Sequence, residues 1–215
     1  MPMCFSDIWG PREMAQDGME TALPGAFVHW RTPTLAEMRW QIWEGLRLGV
    51  KGEFFFSLLG ETEGNPKAEP PKDPQLQPIL TKEATPVGYS ALLDRRGHPT
   101  PQFTEMSILF RKLAPYKALL ERLAPGSTQW VAANGGAQTG NFVDSSNGES
   151  YAIIVNPDFG AQQVVTLTAT TGAHNLVDVL SGESLKLEPP GPAGGNFTTK
   201  ISLKAGDGVL LKIKQ

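Results

Sequence analysis

The chain has 215 residues, 40% of them apolar, and carries a net charge of −3. This length and composition predict one or two domains with a conventional hydrophobic core. Because acidic and basic residues are interspersed and no basic stripe is present, we expect neither nucleic acid nor an anionic membrane as a partner. The longest apolar runs, such as residues 54–59, are far shorter than a helix that spans a bilayer.

The N-terminal segment MPMCFSDIWG has neither the basic nor the apolar region of a signal peptide. We therefore expect the chain as it stands to be cytoplasmic, whereas a longer parent could be secreted. Cys4 is the single cysteine, which excludes an internal disulfide and a cysteine-rich zinc site. We interpret it as a small buried residue of the first strand.

The first thirty residues predict two short strands around a weak helix. Residues 2–9 (PMCFSDIW) and 24–30 (PGAFVHW) are the apolar strands. Residues 12–20 (REMAQDGME) lie between them and have the composition of a helix, the length of which is limited by Gly18.

Residues 33–59 (PTLAEMRWQIWEGLRLGVKGEFFFSLL) predict a helix that leads directly into a buried strand over 52–59. Thr34 and Glu37 form a T-x-x-E capping box, and Gly49 is a natural C-terminal stop. Strands that alternate with helices predict parallel βα units, about three in this part of the chain.

Residues 60–91 form a long proline-rich loop, a length that is typical of functional lids or of disordered segments. Thr100 and Pro101 then begin a second helix, and Pro115 interrupts it before KALLERL. The apolar stripe of this helix contains Met106, Leu109, Phe110 and Leu113.

The composition changes after Pro125. From Trp130 onward, β-branched residues alternate with polar ones in YAIIVNPD, QQVVTLTAT, HNLVDVL, NFTTKISL and GVLLKIK, with turn signals between them. This pattern predicts a small antiparallel β-sandwich. The predicted fold is therefore α/β plus all-β: about three βα units over residues 1–125, followed by a sandwich over 126–215.

Several of these segments resemble one family. RTPTLAEMRWQIWEGLRLGVKGEFFF resembles the seventh helix and eighth strand of (β/α)8-barrel glycoside hydrolases of the β-galactosidase-like clan. LLDRRGHPTPQFTEM is similar to their eighth loop and helix, and YAIIVNPD, VDVLSGE and LKAGDGVLLKI are similar to the β-sandwich that commonly follows such barrels. The resemblance implies a C-terminal portion of that architecture and an ancestry among hydrolases.

The chain departs from this family in two ways. A complete barrel needs about 250 residues, and glycosidases need two carboxyl groups at the scissile bond. The family's acid commonly comes from a fourth strand, which this chain lacks, and the segment FVHWRTP at the seventh-strand position has no carboxylate. Unpaired strand edges of a partial barrel would favour association into a homo-oligomer.

The candidate catalytic residues are Asp7, His29 and Glu61, which follow the ends of the predicted strands. His29 has an ordinary pKa near neutrality and suits proton transfer, and Asp7 and Glu61 are candidate acids or bases. The alternatives are a turn residue for Asp7, a packed histidine for His29 and, for Glu61 with Glu63, a solvated loop or a calcium ligand.

The candidate substrate-binding residues are Trp9, Trp30 and Arg31. The two indole rings suit stacking on a sugar or an apolar ligand, and Arg31 suits stabilisation of an oxyanion. Core or interface aromatics are the alternative for both tryptophans.

Three oxygen-rich loops are interpreted as turns. Asp94 is expected to order the turn DRRGHP, and the segments 144–150 (DSSNGES) and 156–160 (NPDFG) are interpreted as hairpin turns in preference to calcium sites. We therefore expect no cofactor and no metal, with calcium as the weaker alternative.

These patterns lead to one functional hypothesis and two alternatives. The first is a hydrolase of glycoside-hydrolase-like ancestry that acts by general acid–base chemistry at the strand ends on a carbohydrate or another small molecule. The second is hydrolysis of a small ester or lactone on the same scaffold. The third is a non-catalytic carbohydrate-binding or self-assembling fragment.

Overall fold

The computed structural model describes residues 7–52, 55, 58–59, 72, 81–94, 96–170, 172–173, 175–190 and 195–214. The chain divides into a first compact unit of residues 1–35 with 54–107, and a second of residues 36–53 with 108–215. The domain boundary expected near residue 125 stays a prediction. None of the helices in the described ranges has the length and apolar character that crossing a bilayer requires.

The described residues are mostly β-sheet, with two helices of 13 residues each. The helices are α1 (Leu35–Arg47), α2 (Pro101–Leu113) and the short α3 (Lys117–Arg122). The strands of the first unit are β1 (Asp7–Trp9), β2 (Arg12–Met14), β3 (Glu20–Ala22), β4 (Phe27–Trp30) and β5 (Thr85–Gly88).

The first unit contains two small antiparallel sheets. β1 pairs with β4, and β3 lies between β2 and β5. Ile8, Ala22, Ala26 and Val87 form a buried cluster, and Val28 packs against it. Side chains from β1, β3, β4 and β5 therefore share one apolar core.

Two predictions for this unit are wrong. Residues 12–20 form not a helix but β2, a turn and the start of β3, because pairing of Arg12–Met14 with Glu20–Ala22 overrides the local helix propensity. The segments 2–9 and 24–30 do contain β1 and β4, but these strands pair antiparallel instead of as parallel βα units. Within the described residues, the isolated bridge Leu59–Leu93 is the parallel contact.

The proline-rich segment 60–91 contains a strand that the sequence did not predict. β5 includes Pro86, and proline in a strand normally argues against pairing. Thr81 fixes the chain before β5, because its N–H donates to Ala26 O and the N–H of Gly25 donates to Thr81 O, both at 2.9 Å. Residues 60–71 and 73–80, like most of the predicted strand over 52–59, lie outside the described residues.

The predicted helix boundaries are confirmed. At the end of α1, Gly49 has a φ of +83° and donates to Leu46 O, and Val50 donates to Gly45 O at 2.8 Å. These two bonds define a Schellman cap, for which glycine is favoured. At the start of α2, Thr100 Oγ1 accepts the N–H of Phe103 at 3.4 Å, and a 3₁₀ turn over Ala114–Tyr116 replaces the helix at Pro115.

The second unit contains two antiparallel sheets over one core, as the sequence predicted for its C-terminal part. One sheet has the order β12-β11-β14-β9-β8-β6 and the other the order β13-β10-β7. The strands are β6 (Leu123–Pro125), β7 (Val131–Ala133), β8 (Gln138–Asp144), β9 (Ser150–Val155), β10 (Gln163–Ala169), β11 (Asn175–Asp178), β12 (Ser184–Leu185), β13 (Phe197–Leu203) and β14 (Gly208–Lys214). Their shared core contains Ile154, Val165, Leu167, Leu176 and Leu211, all fully buried.

Helix α1 packs closely on the six-stranded sheet. Trp43 is buried, and its indole N–H donates to Asp207 Oδ1 at 2.9 Å. A Cβ at Gly208 would lie 2.6 Å from the Trp43 ring, and a Cβ at Gly140 would lie 2.6 Å from Arg47 O. Glycine at both positions is therefore required by the close approach of the helix.

Asn156 ties two loops of the second unit together. Its side chain is fully buried, and its Nδ2 donates to Ala161 O at 3.0 Å and to Lys204 O at 3.0 Å. Its Oδ1 accepts the N–H of Asp158 at 2.9 Å. The buried amide therefore satisfies its own polar atoms by hydrogen bonds to the backbone of the two loops.

We expect Asn156→Ala to lower the free energy of unfolding by about 1–3 kcal/mol, because the buried carbonyl groups lose their donor. Urea unfolding at neutral pH measures the change. Asn175→Ala is the control, since this exposed amide is expected to change stability by less than about 0.5 kcal/mol. Equal effects of the two substitutions would contradict the role of Asn156.

Candidate functional site

The ribbon formed by β1 and β4 carries three of the predicted site residues with described side chains. Asp7 pairs with Trp30, and Trp9 pairs with Phe27. Residues directly opposite each other in a regular antiparallel pair point to the same face, so Trp9 and Phe27 share one face. The register shifts between Asp7 and Ile8, which interrupts this alternation before Trp30. We call the surface that carries Asp7, Trp9 and Trp30 the aromatic face.

The burial of the ribbon agrees with this assignment. Ile8 is 1% exposed and Val28 packs beside it in the core, whereas Trp9 and Trp30 are each 42% exposed. Ile8 of the ribbon thus covers the core, and both indole rings are accessible to solvent.

Arg31 follows Trp30 directly, at the point where the chain is fixed by several bonds. Its Nη1 donates to Thr32 O at 3.2 Å. Thr32 donates its N–H to Val87 O at 3.1 Å and its hydroxyl to Tyr89 O. A Cβ at Gly88 would lie 2.7 Å from the Thr32 side chain, so the end of β4 is held firmly against β5.

The remaining predicted catalytic residues are placed only in part. The backbone of His29 lies in β4, where the register shifts by one residue opposite Asp7 and Ile8. Glu61 and its neighbour Glu63 lie outside the described residues, as does Glu53. The structure thus places Asp7 and the backbone of His29 on paired strands and leaves the position of Glu61 as a prediction.

The aromatic face combines flat apolar area with hydrogen-bonding groups. Two indole rings offer flat apolar area, the carboxylate of Asp7 accepts hydrogen bonds and the guanidinium of Arg31 donates them. Two-carboxylate glycosidase chemistry needs a second carboxyl group within about 5–10 Å. In the described part of the ribbon, Asp7 is the carboxylate on this face.

Sequence reasoning did not single out Glu20, a carboxylate that is 2% exposed in β3 opposite Gly88. The short alternating segment ETA gives no signal for this burial. The burial follows from the central position of β3 between β2 and β5, and the sequence did not predict the pairing with β5.

The prediction that Asp94 orders the turn DRRGHP is confirmed. Its Oδ1 accepts the N–H groups of Arg96 at 2.8 Å and of His98 at 2.7 Å. Its Oδ2 lies 3.1 Å from His98 Nδ1. These bonds, led by the backbone N–H of His98, lower the pKa of Asp94 below its ordinary value.

The loop 144–150 is the hairpin turn between β8 and β9 that the sequence predicted. The loop 156–160 joins β9 of one sheet to β10 of the other and is therefore not the predicted hairpin turn. Asp144 binds Arg122 through Nε and Nη2, both at 3.0 Å, and also accepts from Ser146. Asp158 Oδ1 accepts the N–H of Gly160 at 2.7 Å. Among the residues that the structure describes, no group of three or more His, Cys, Asp or Glu side chains is arranged to hold a metal ion.

No family profile and no curated protein matches this chain. Among solved structures, it is similar to a substituted form of AmyP in complex with maltotriose, at 16% identity and a TM-score of 0.44, over 86% of this chain and 36% of that one. It is also similar to a GH27 β-L-arabinopyranosidase from Geobacillus stearothermophilus, at 11% identity and a TM-score of 0.39, over 84% of this chain and 41% of that one. The chain thus spans less than half the length of these proteins, and TM-scores below 0.5 carry no argument about its chemistry.

We expect the stability of the chain to fall as the pH is lowered below about 5. The Arg122 guanidinium and Ser146 lower the pKa of Asp144, and backbone N–H groups lower that of Asp94. A depressed folded-state pKa gives stabilisation that is complete above the unfolded value of about 3.9 and is lost as the pH falls through the folded value. The urea midpoint, measured between neutral pH and about pH 2, reports this loss.

Asp144→Asn separates this contribution from general acid effects. The variant should have a lower urea midpoint at neutral pH and a smaller further decrease in acid than the parent chain. Glu183→Gln, at an exposed turn position, should keep the parental pH dependence. A pH dependence of Asp144→Asn equal to that of the parent would contradict the account.

Proposed function

We propose that this chain binds carbohydrate through the aromatic face of the β1–β4 ribbon. The observation that carries the proposal is the exposure of Trp9 and Trp30, each 42%, on a two-stranded ribbon whose Ile8 is buried in the core. An indole ring packs well on the apolar C–H face of a sugar ring, and its N–H is available to a hydroxyl group. Two neighbouring indoles would accommodate two successive sugar units or the two sides of one.

The polar neighbours of the tryptophans fit the same class of ligand. Asp7 pairs directly with Trp30 and Arg31 follows it in the chain. A carboxylate accepts hydrogen bonds from sugar hydroxyls and a guanidinium donates to them. Polar groups beside the indole rings favour a polyol over a purely apolar ligand.

Residues 31–56 and 92–106 resemble barrel glycoside hydrolases, and this resemblance suggests the class of protein in which the binding face occurs. We place the chain among hydrolases of that ancestry, with residues 1–125 as a diverged barrel segment and residues 126–215 as the accessory sandwich. Self-association through strand edges is part of the same proposal, because β1 and β4 form a ribbon of two strands that has two open edges in the described residues.

Removal of either indole ring should weaken carbohydrate binding. We expect Trp9→Ala and Trp30→Ala each to raise the dissociation constant at least about tenfold, which corresponds to about 1.4 kcal/mol. Isothermal titration calorimetry with a panel of galactose, arabinose and malto-oligosaccharides measures the effect.

Phe159→Ala is the matched control, since this aromatic residue of the second unit is also 42% exposed. It should leave sugar affinity unchanged. Saturable binding that both tryptophan substitutions leave intact would contradict the assignment of the site, and absence of binding across the panel would contradict the function.

Hydrolysis is the second candidate, favoured by the placement of Asp7 on a strand paired with that of His29. In this hypothesis, Asp7 or His29 takes a proton from a water molecule, the water attacks the substrate and Arg31 stabilises the developing oxyanion. A small ester or lactone needs no more than these groups. A glycoside needs a second carboxyl group, a role for which Glu61 stays the candidate.

Asp7→Asn should reduce the hydrolytic rate at least about a hundredfold if Asp7 is the general base. Initial rates on chromogenic glycosides, esters and lactones measure the change, with His29→Ala tested in parallel. Glu13→Gln removes an exposed carboxylate of β2 and should keep the parental rate. Turnover that Asp7→Asn and His29→Ala leave unchanged would contradict this catalytic assignment without affecting the proposed binding of sugar.

A further inference from the structure

The second unit contains a groove of about 300 Å³ between the C-terminal end of α1 and the corner formed by α2 and α3. Its size lies at the lower end of the range of about 300–1,000 Å³ found for small-molecule sites. The apolar side chains that line it are Ile42, Leu46, Val50, Phe110, Leu113 and Leu120.

The exposure of Phe110 distinguishes this groove from an ordinary buried core. The sequence placed it in the apolar stripe of α2 with Leu109 and Leu113, which are each 6% exposed, but Phe110 is 38% exposed. Val50 on the opposite wall is 40% exposed. Apolar surface therefore remains in contact with water on both sides of the groove, and an apolar ligand would remove it from water.

The charges of the groove favour an anionic head group. Lys51 Nζ donates to Leu120 O at 2.7 Å and to Leu123 O, at the end of α3 where carbonyl groups lack helical partners. These carbonyls fix the ammonium without neutralising its charge, and an ammonium has a third N–H to donate. The other charged groups that line the groove, Lys117 and Glu121, are 3.8 Å apart and compensate each other.

We propose that this groove binds an amphipathic monocarboxylate such as a medium-chain fatty acid. Its alkyl chain would pack among Ile42, Leu46 and Leu113, and its carboxylate would accept a charge-assisted hydrogen bond from Lys51. A cationic amphiphile would bring two like charges together at the same position. The site is separate from the aromatic face, and its ligand differs in class from a sugar.

Calorimetric titration of the whole chain with decanoate, kept below its micelle-forming concentration, tests the proposal. We expect saturable binding of one decanoate per chain, at least about tenfold tighter than binding of decyltrimethylammonium. Phe110→Ala should weaken decanoate binding at least about fivefold. Ile108→Ala lies on the same helix at 44% exposure and does not line the groove, so it should leave the affinity unchanged.

Lys51→Met keeps the apolar stem and removes the charge, and it should abolish the preference for decanoate over the cation. Because Lys51 also binds the end of α3, far-UV circular dichroism is used to check that this variant folds. If it does not fold, the comparison of Phe110→Ala with Ile108→Ala tests the proposal. Absence of saturable binding, equal affinity for both amphiphiles, or equal effects of the two α2 substitutions would overturn the proposal.

Discussion

Asp7 of β1 lies opposite Trp30 of β4, and the other features of the candidate site follow from this antiparallel pairing. The register places Trp9 opposite Phe27, and Ile8 joins the core of the first unit. Thr32 then holds the end of β4 against β5, at a distance that only glycine at position 88 permits. A shift of one residue in the alternation of β1 would turn Trp9 toward the core and expose Ile8.

A second constraint acts within the other unit. Trp43 reaches Asp207 through its indole N–H, and the glycines at positions 140 and 208 allow α1 to approach the sheets without a clash. The same helix ends at Gly49 in a cap that turns the chain toward Lys51. The position of Lys51 at the end of α3 is therefore a consequence of how α1 ends, and the apolar groove lies beside it.

The elements that sequence reasoning predicted well are those with strong local signals. Thr100, Gly49 and Pro115 mark helix ends by backbone chemistry that depends on no distant partner. The alternation in β10 reports a strand with one buried face, whereas β9 is buried along its whole length. The failures depend on pairing between distant segments. Arg12–Met14 has a helical composition but becomes a strand because Glu20–Ala22 pairs with it, and β5 forms despite Pro86. Asp7, Trp9, Trp30 and Arg31 were expected to lie at the carboxyl ends of parallel strands. They lie instead on or directly after the antiparallel strands β1 and β4, and their role stays a prediction.

The most direct test of the account is a two-dimensional ¹H–¹⁵N spectrum of the tryptophan indole groups, recorded while an oligosaccharide is titrated into the protein. The chain has five tryptophans, and the indole resonance of each can be assigned by single substitution. The account predicts that the resonances of Trp9 and Trp30 shift with sugar concentration, while that of the buried Trp43 stays in place. Shifts confined to the tryptophans at positions 40, 43 and 130, with Trp9 and Trp30 unchanged, would contradict it.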